Sequence, residues 1–276
     1  MIHYIIWKID PEIIAGTPFR YYGLLFIGGL ILAGWVLKRM LLGTRLTVAD
    51  LQRFSLYVVF GIFAGARLGH CLFYEPAYFL QHPLEMFFPI ARDASGAYKF
   101  VGYMGLASHG GVIGGIIALL LYARTAKQNF LYVFDMVCVV APLSGCFIRL
   151  ANLMNSEIIG YPSTVPWAFV FVREDMLPRH PAQLYEAIAY LAIFLFNLFY
   201  LYRRNKNMTG TGLFTGWGLI MVFTARFFIE FLKERQVAFE NGMTLDMGQW
   251  LSVPFIVTGI ALVVWAKTNR TPSPVQ

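Results

Sequence analysis

The 276-residue chain is 58% hydrophobic and 17% aromatic, with only 13% charged residues and a formal net charge of +7. Soluble domains carry about 25% charged residues, so this balance excludes an ordinary soluble domain; the continuous apolar runs exclude a transmembrane barrel and point to a polytopic helical membrane protein. The positive charge reads as loop residues that orient helices and touch anionic head groups, and not as a nucleic-acid face, because no basic surface with interleaved aromatics stands outside the apolar runs.

In chain order, residues 1–16 are mixed, with Asp10, Pro11 and Glu12, and do not read as a cleavable signal. Seven spans follow, over about 21–37, 51–73, 105–122, 130–150, 184–202, 212–232 and 248–266. Glycine-rich patches at 28–29, at Gly61, Gly65 and Gly69, and at Gly110, Gly111, Gly114 and Gly115 lie inside spans, where small residues let helices approach closely. No internal repeat is visible, which argues against an inverted-repeat transporter. Cys71, Cys138 and Cys146 all sit in apolar stretches without CxxC spacing and read as small core residues.

The short loops fix an expected orientation. Lys38, Arg39, Arg45, Arg53, Arg124, Lys127, Arg203, Arg204, Lys206, Lys267 and Arg270 follow spans one, three, five and seven, against only Asp50 and a membrane-edge Asp135. The positive-inside rule then puts the N-terminus outside and the C-terminus in the cytoplasm. Longer, mixed-charge connections at 74–104, 155–183 and 233–247 lie on the outer side and would build a small extracytoplasmic head. The expected architecture is one integral-membrane domain over 1–276, all-α and of about seven transmembrane helices. The stretch 166–172 is aromatic and β-branched, suited to a short strand or to the membrane surface.

Polar groups at membrane depth are costly and need partners. On this topology Tyr22, Arg67, His109, Arg149, Arg226 and Glu230 all fall in the outer halves or outer ends of their spans. His109 opens span three and is either a general base near neutral pH or a ring hydrogen-bonded between helices. Gly110 and Gly111 beside it would let a head group reach the ring. Arg149 and Asn152 are three apart and share one helical face. A guanidinium beside an amide suits a phosphate; the alternative is an arginine that snorkels to the interface. Asn155 and Glu157 are close by, and a pairing of Arg149 with Glu157 would lower the cost of both. Arg226 and Glu230 are four apart, either a self-neutralising pair in the weaker order or part of a second cationic centre around the same anion. His180 and Pro181 mark the start of span five, with Glu186 in its first turn suiting the helix dipole. No HExxH, GxSxG or P-loop is present, and the carboxylates are not spaced for a metal. The residues alone give a seven-helix protein with a cationic, histidine-containing pocket for a phospholipid head group in the outer leaflet.

At these residues the chain resembles the bacterial prolipoprotein diacylglyceryl transferases. The likeness runs through 21–24, 65–69, 109–111, 149–160, 179–186, 226–231 and 247–252, in order and in the same topology. The resemblance implies a multi-pass protein of the bacterial cytoplasmic (inner) membrane. Its implied activity is transfer of the diacylglyceryl group from phosphatidylglycerol to the lipobox cysteine of a preprolipoprotein signal peptide, with glycerol phosphate leaving. Arg149 matches the signature arginine that contacts phosphatidylglycerol, with Asn152, Glu157 and Gly160 in the same signature. Arg226 and Glu230 match the second essential arginine region, His109 the histidine proposed as base, and Tyr22 a functional tyrosine. No metal and no organic cofactor is implied. Two positions depart from the family pattern: Tyr161 follows Gly160 where arginine is common, and Val222 stands where a tyrosine is frequent.

The chemistry agrees with the unaided reading. A cysteine thiol has a pKa of about 8.5, so His109 or Glu157 could assist its deprotonation. Charge builds on the departing phosphate, where Arg149 and Arg226 would stabilise it most in the transition state. Two other classes stay in view. An anion or lipid transporter would place polar groups in both leaflets, whereas the inner halves here are almost bare. A scaffolding membrane protein would merely pair its polar residues between helices.

Overall fold

A bilayer core offers no water to hydrogen-bond, so long apolar segments satisfy their backbone groups by closing into helices. The computed structural model describes residues 4–17, 19–41, 47–88, 90–92, 96–100, 105, 107–235 and 242–269. In chain order its elements are β1 (Ile5–Trp7), α1 (Tyr21–Leu41), α2 (Val48–Phe73), α3 (Pro76–Phe79), α4 (Pro83–Phe87), β2 (Ile90–Arg92) and β3 (Tyr98–Phe100). Then come α5 (Ser108–Thr125), α6 (Phe130–Met154), β4 (Phe169–Phe171), β5 (Pro178–Arg179), α7 (Ala182–Leu195), α8 (Leu213–Glu230) and α9 (Met247–Thr268). α7 continues as a π-helix over Phe196–Tyr202.

Among the described residues, α1, α2, α6, α7 with its continuation, α8 and α9 are long and apolar enough to cross a membrane, and α5 is a shorter apolar helix. The chain is therefore an all-α, multi-pass membrane protein, with each of the seven expected spans present as a helix. Its spans are inside-out relative to a soluble fold: Leu24, Ile27 and Ile31 of α1, Phe60 of α2 and Val257 and Ile260 of α9 are all exposed, as lipid-facing positions should be. Arg45 and Arg270 from the orienting set, and parts of the connections expected over 74–104 and 233–247, lie outside the described residues.

The chain divides into two compact units, residues 41–133 and residues 1–40 with 134–276. In the first, α2 packs on α5 through glycines. A Cβ on Gly110 would strike the Gly65 carbonyl, and one on Gly114 the Gly61 carbonyl, so the helix backbones touch directly. Arg67, at the outer end of α2, donates from Nε to the Met86 carbonyl at 3.1 Å and from Nη2 to the Glu85 carbonyl at 2.6 Å. It holds the connection after α2 in place, where β2 and β3 pair as an antiparallel hairpin.

In the second unit, α8 meets α9 at Gly216 and Gly259, where a Cβ on either would lie 2.7 Å from the other's carbonyl oxygen. The inner end of α8 is capped by Asp135 of α6, which is fully buried. Its Oδ1 accepts from the Thr215 amide at 2.9 Å and the Thr215 hydroxyl at 2.7 Å. Its Oδ2 accepts from the Gly210 and Gly212 amides, both at 2.9 Å. The first N–H groups of a helix have no partner within it, and here a carboxylate from a neighbouring helix supplies one. At the opposite end of α6 a small sheet forms, β1 parallel to β4 and β4 antiparallel to β5. Trp7 ties this sheet to α6 by donating from Nε1 to the Leu153 carbonyl at 3.0 Å. The strand option for 166–172 is the one realised, at Phe169–Phe171.

Candidate active site

The polar segment at the end of α6 folds back on its own helix. Ser156 and Ile158 both take left-handed backbone conformations, with φ of 58° and 59°. For a β-branched residue such as Ile158 that geometry is uncommon and costs about 1–3 kcal/mol, the kind of strain that persists where surrounding contacts impose it. The turn brings Glu157 against the helix: Asn152 Nδ2 donates to Oε2 at 3.0 Å and Asn155 Nδ2 to Oε1 at 2.9 Å. Gln183 of α7, itself fully buried, donates to the Glu157 backbone carbonyl.

Arg149 does not pair directly with Glu157. Its Nη1 donates to Asn152 Oδ1 at 3.0 Å, so Asn152 bridges the two charged groups. The carboxylate that faces Arg149 is Glu186 of α7, with Nε 2.8 Å from Oε2. The sequence places Glu186 in the first turn as a partner of the helix dipole. In the structure α7 begins at Ala182, so Glu186 lies in the second turn, fully buried, and is an ion-pair partner. Lys233, just beyond α8, lies 3.7 Å from the other oxygen of Glu186 and 2.9 Å from Glu230 Oε2. Both Glu186 oxygens are at ion-pair distance from a cation, yet no N–H is aimed well enough to make a directed hydrogen bond. The carboxylate is neutralised by charge and remains geometrically unsaturated.

This pairing scheme settles how Arg226 and Glu230 relate. They do not form the intrahelical pair that their spacing allows, because Lys233 turns back over the helix end and takes Glu230. Gly248, at the start of α9, leaves the room: any Cβ there would overlap the Glu230 carboxylate. Arg226 is half-buried and makes no ion pair with any other described residue. It is close enough to Tyr190 of α7 to interact with it electrostatically, and Tyr190 in turn meets Arg149. Tyr22, at the start of α1, lies within electrostatic reach of Glu157 and Arg149. Tyr22, Arg149, Asn152, Glu157, Arg226 and Glu230 therefore gather in one unit, joined by Glu186 and Lys233.

Gly160 has another task. It is buried where three chain segments cross, with its amide donating to the His180 carbonyl at 2.9 Å. A Cβ there would lie 2.6 Å from the His180 Cβ, the His180 carbonyl and the Leu232 carbonyl. Arg179 binds the same crossing from outside, donating from Nη1 to the Gly160 carbonyl at 3.1 Å and to Glu234 Oε2 at 3.0 Å. Its Nε donates to Asp175 at 2.8 Å, and this bond holds the Asp175 carboxyl below the usual carboxylate range. Tyr161 passes over the crossing, with its amide donating to the Leu232 carbonyl at 2.9 Å. Next to it, burial pushes the His180 imidazole below its ordinary range, and its Nδ1 faces the Tyr185 hydroxyl at 3.1 Å.

His109 and Arg67 belong to the unit of residues 41–133. His109, the second residue of α5, is exposed and makes no hydrogen bond to another described residue, so the interhelical-bond reading does not describe it. Arg67 is committed to backbone carbonyls and is a structural group.

Comparisons with known proteins follow this geometry. The sequence profile of a family described as prolipoprotein diacylglyceryl transferase matches residues 11–265. A Bacteroides fragilis protein named phosphatidylglycerol–prolipoprotein diacylglyceryl transferase is 52% identical over 256 residues, covering 92% of each chain. Proteins with the same name from Tolumonas auensis and Chloroherpeton thalassium are 42% and 39% identical, over 96% and 94% of this chain and 98% and 93% of their own.

Proposed function

The chain belongs to the prolipoprotein diacylglyceryl transferase family, and on that premise we propose that it moves the diacylglyceryl group of phosphatidylglycerol onto the lipobox cysteine of a preprolipoprotein. The sulfur attacks the glycerol carbon that carries the phosphate. A carbon–sulfur bond forms, the carbon–oxygen bond breaks, and glycerol phosphate leaves with the electron pair. The thiol proton passes to a base.

The observation that carries this reading is the uneven pairing of charge around Arg149. Glu186 and Glu230 are taken by Arg149 and Lys233, which leaves Arg226 without an acid among the described residues, beside a guanidinium already anchored in place. An anion between the two arginines would complete that arrangement. Fixed, partly desolvated cations stabilise developing phosphate charge without having to reorganise during the reaction. For the base, both Glu157 oxygens already accept amide hydrogens, whereas the His109 ring is uncommitted among the described residues. That favours His109 as proton acceptor and gives Glu157 the task of setting Asn152 and, through it, Arg149. Tyr22 and Glu230 then border the lipid head group.

The site lies at the C-terminal end of α6 and α8 and the N-terminal end of α7, opposite the Asp135 end. With the basic loops in the cytoplasm, this puts the chemistry at the outer leaflet, where lipid and signal peptide both reside. The test is reconstitution with phosphatidylglycerol and a lipobox peptide. The expected result is a diacylglyceryl mass increment on the cysteine and one released glycerol phosphate per adduct. Folded protein that yields neither would overturn the reading.

A further inference from the structure

The proposed reaction assigns no part to Tyr190, yet its position is distinctive. It sits four residues after Glu186 on α7, on the same helical face. Its ring is buried in an apolar cluster with Cys146, Ala187 and Ile193, against which Leu150, Val222 and Ala225 pack. Gly145 of α6 makes the space, since a Cβ there would already lie 3.1 Å from the Tyr190 ring. A phenol hydroxyl buried among apolar groups is costly unless it finds a polar partner. This one meets the Arg149 guanidinium and faces Arg226. A guanidinium only donates, so the Tyr190 oxygen accepts and its own proton stays free to be given.

Arg149 needs such a partner. Its contact with Glu186 is close but not directed, so that ion pair supplies charge without fixing the plane of the guanidinium. Asn152 fixes one nitrogen. A planar fork held at one nitrogen can still swing about that bond, and a second directed contact stops it. We propose that Tyr190 is a positioning residue of the anion site, its hydroxyl locking the Arg149 guanidinium in the orientation that lets Arg149 and Arg226 address one phosphate. The inference rests on the transferase reading and goes beyond it by placing orientation of the cation on a neutral side chain of α7.

The experiment compares wild type, Tyr190→Phe, Arg149→Lys and the double variant, measuring kcat and KM for phosphatidylglycerol and Tm for each. Tyr190→Phe removes one oxygen and keeps the ring, so Tm should hold while kcat/KM falls about 10- to 100-fold, the range for a hydrogen bond to a charged group. With lysine at 149 the fork is gone, and adding Tyr190→Phe should cost less than about threefold, because coupled residues are non-additive. Should Arg149→Lys turn over too slowly to follow, binding of phosphatidylglycerol micelles to the same four proteins is read for the same pattern. Wild-type kinetics in Tyr190→Phe would overturn the proposal. So would an equal loss in both backgrounds, or a Tm that falls in step with the rate. A wild-type protein that forms no adduct would count against the transferase reading instead, and is seen before any variant is made.

Discussion

The two ends of α6 each bury a charged residue, and they treat it in opposite ways. At the inner end Asp135 has both oxygens filled by four donors from one neighbouring helix start. At the outer end Arg149, Glu186, Lys233 and Glu230 alternate in sign, but Glu186 has no directed bond and Arg226 has no acid among the described residues. A buried charge whose hydrogen-bonding capacity is fully used is fixed in one structure and has nothing left for a ligand. A buried cluster that is balanced but unsaturated keeps capacity in reserve, and that is what binding and catalysis require. The contrast separates a structural charge from a working one within a single helix.

The largest expected effect comes from removing Arg149. Arg149→Ala should lower turnover by about 10³-fold, as loss of a preorganised donor does, measured as glycerol phosphate released per folded enzyme. It should also lower Tm, because Glu186 is then left with only the more distant Lys233. Next comes Asp135→Ala, which strands three backbone N–H groups and the Thr215 hydroxyl and should destabilise by about 3 kcal/mol or more. The surviving folded fraction should keep its KM for phosphatidylglycerol. A changed KM with an unchanged Tm would erase the contrast between the two ends.

Gly160→Ala is expected to cost about 1–3 kcal/mol by overpacking the three-chain crossing. Its rate loss should track its Tm loss, with KM unaltered, whereas a direct ligand contact at Gly160 would raise KM at constant Tm. The smallest effect concerns pH. His180 is held below its ordinary pKa of about 6.5, so the folded state resists a proton that the unfolded chain accepts. That contribution is complete above about pH 6.5 and is lost as pH falls, so Tm should drop by a few degrees between pH 7 and 5. His180→Gln should flatten the drop. Asp175 works in the same direction at lower pH: Arg179 depresses its pKa, and the stability this gives fades below about pH 4.

Much of this was legible from the residues because a membrane enforces it. Apolar runs of about 20 residues admit few folds, and each of the seven became a helix. Arg149, Asn152, Glu157 and Arg226 stood out because polarity at that depth needs a reason. Glu186 did not stand out, since an acid near a helix start has a sufficient local explanation; a two-residue change in where α7 begins moves it into the core. Lys233 looked like one charge in a mixed loop, and its pairing with Glu186 spans a sequence separation that no local pattern reveals. The parallel pairing of Ile5–Trp7 with Phe169–Phe171 was hidden for the same reason. Gly160 was recognisable by motif, but the chains that cross there could be seen only in three dimensions.

Arg226 gives the cleanest access to the central claim, because removing it orphans no described carboxylate. The decisive measurement is the affinity for phosphatidylglycerol of Arg226→Ala beside Asp135→Ala, each corrected for its folded fraction. The account expects Arg226→Ala to keep the wild-type Tm and lose at least about tenfold in affinity, the scale of one charge-assisted contact, while Asp135→Ala loses Tm and keeps its affinity. Wild-type affinity in Arg226→Ala would contradict it.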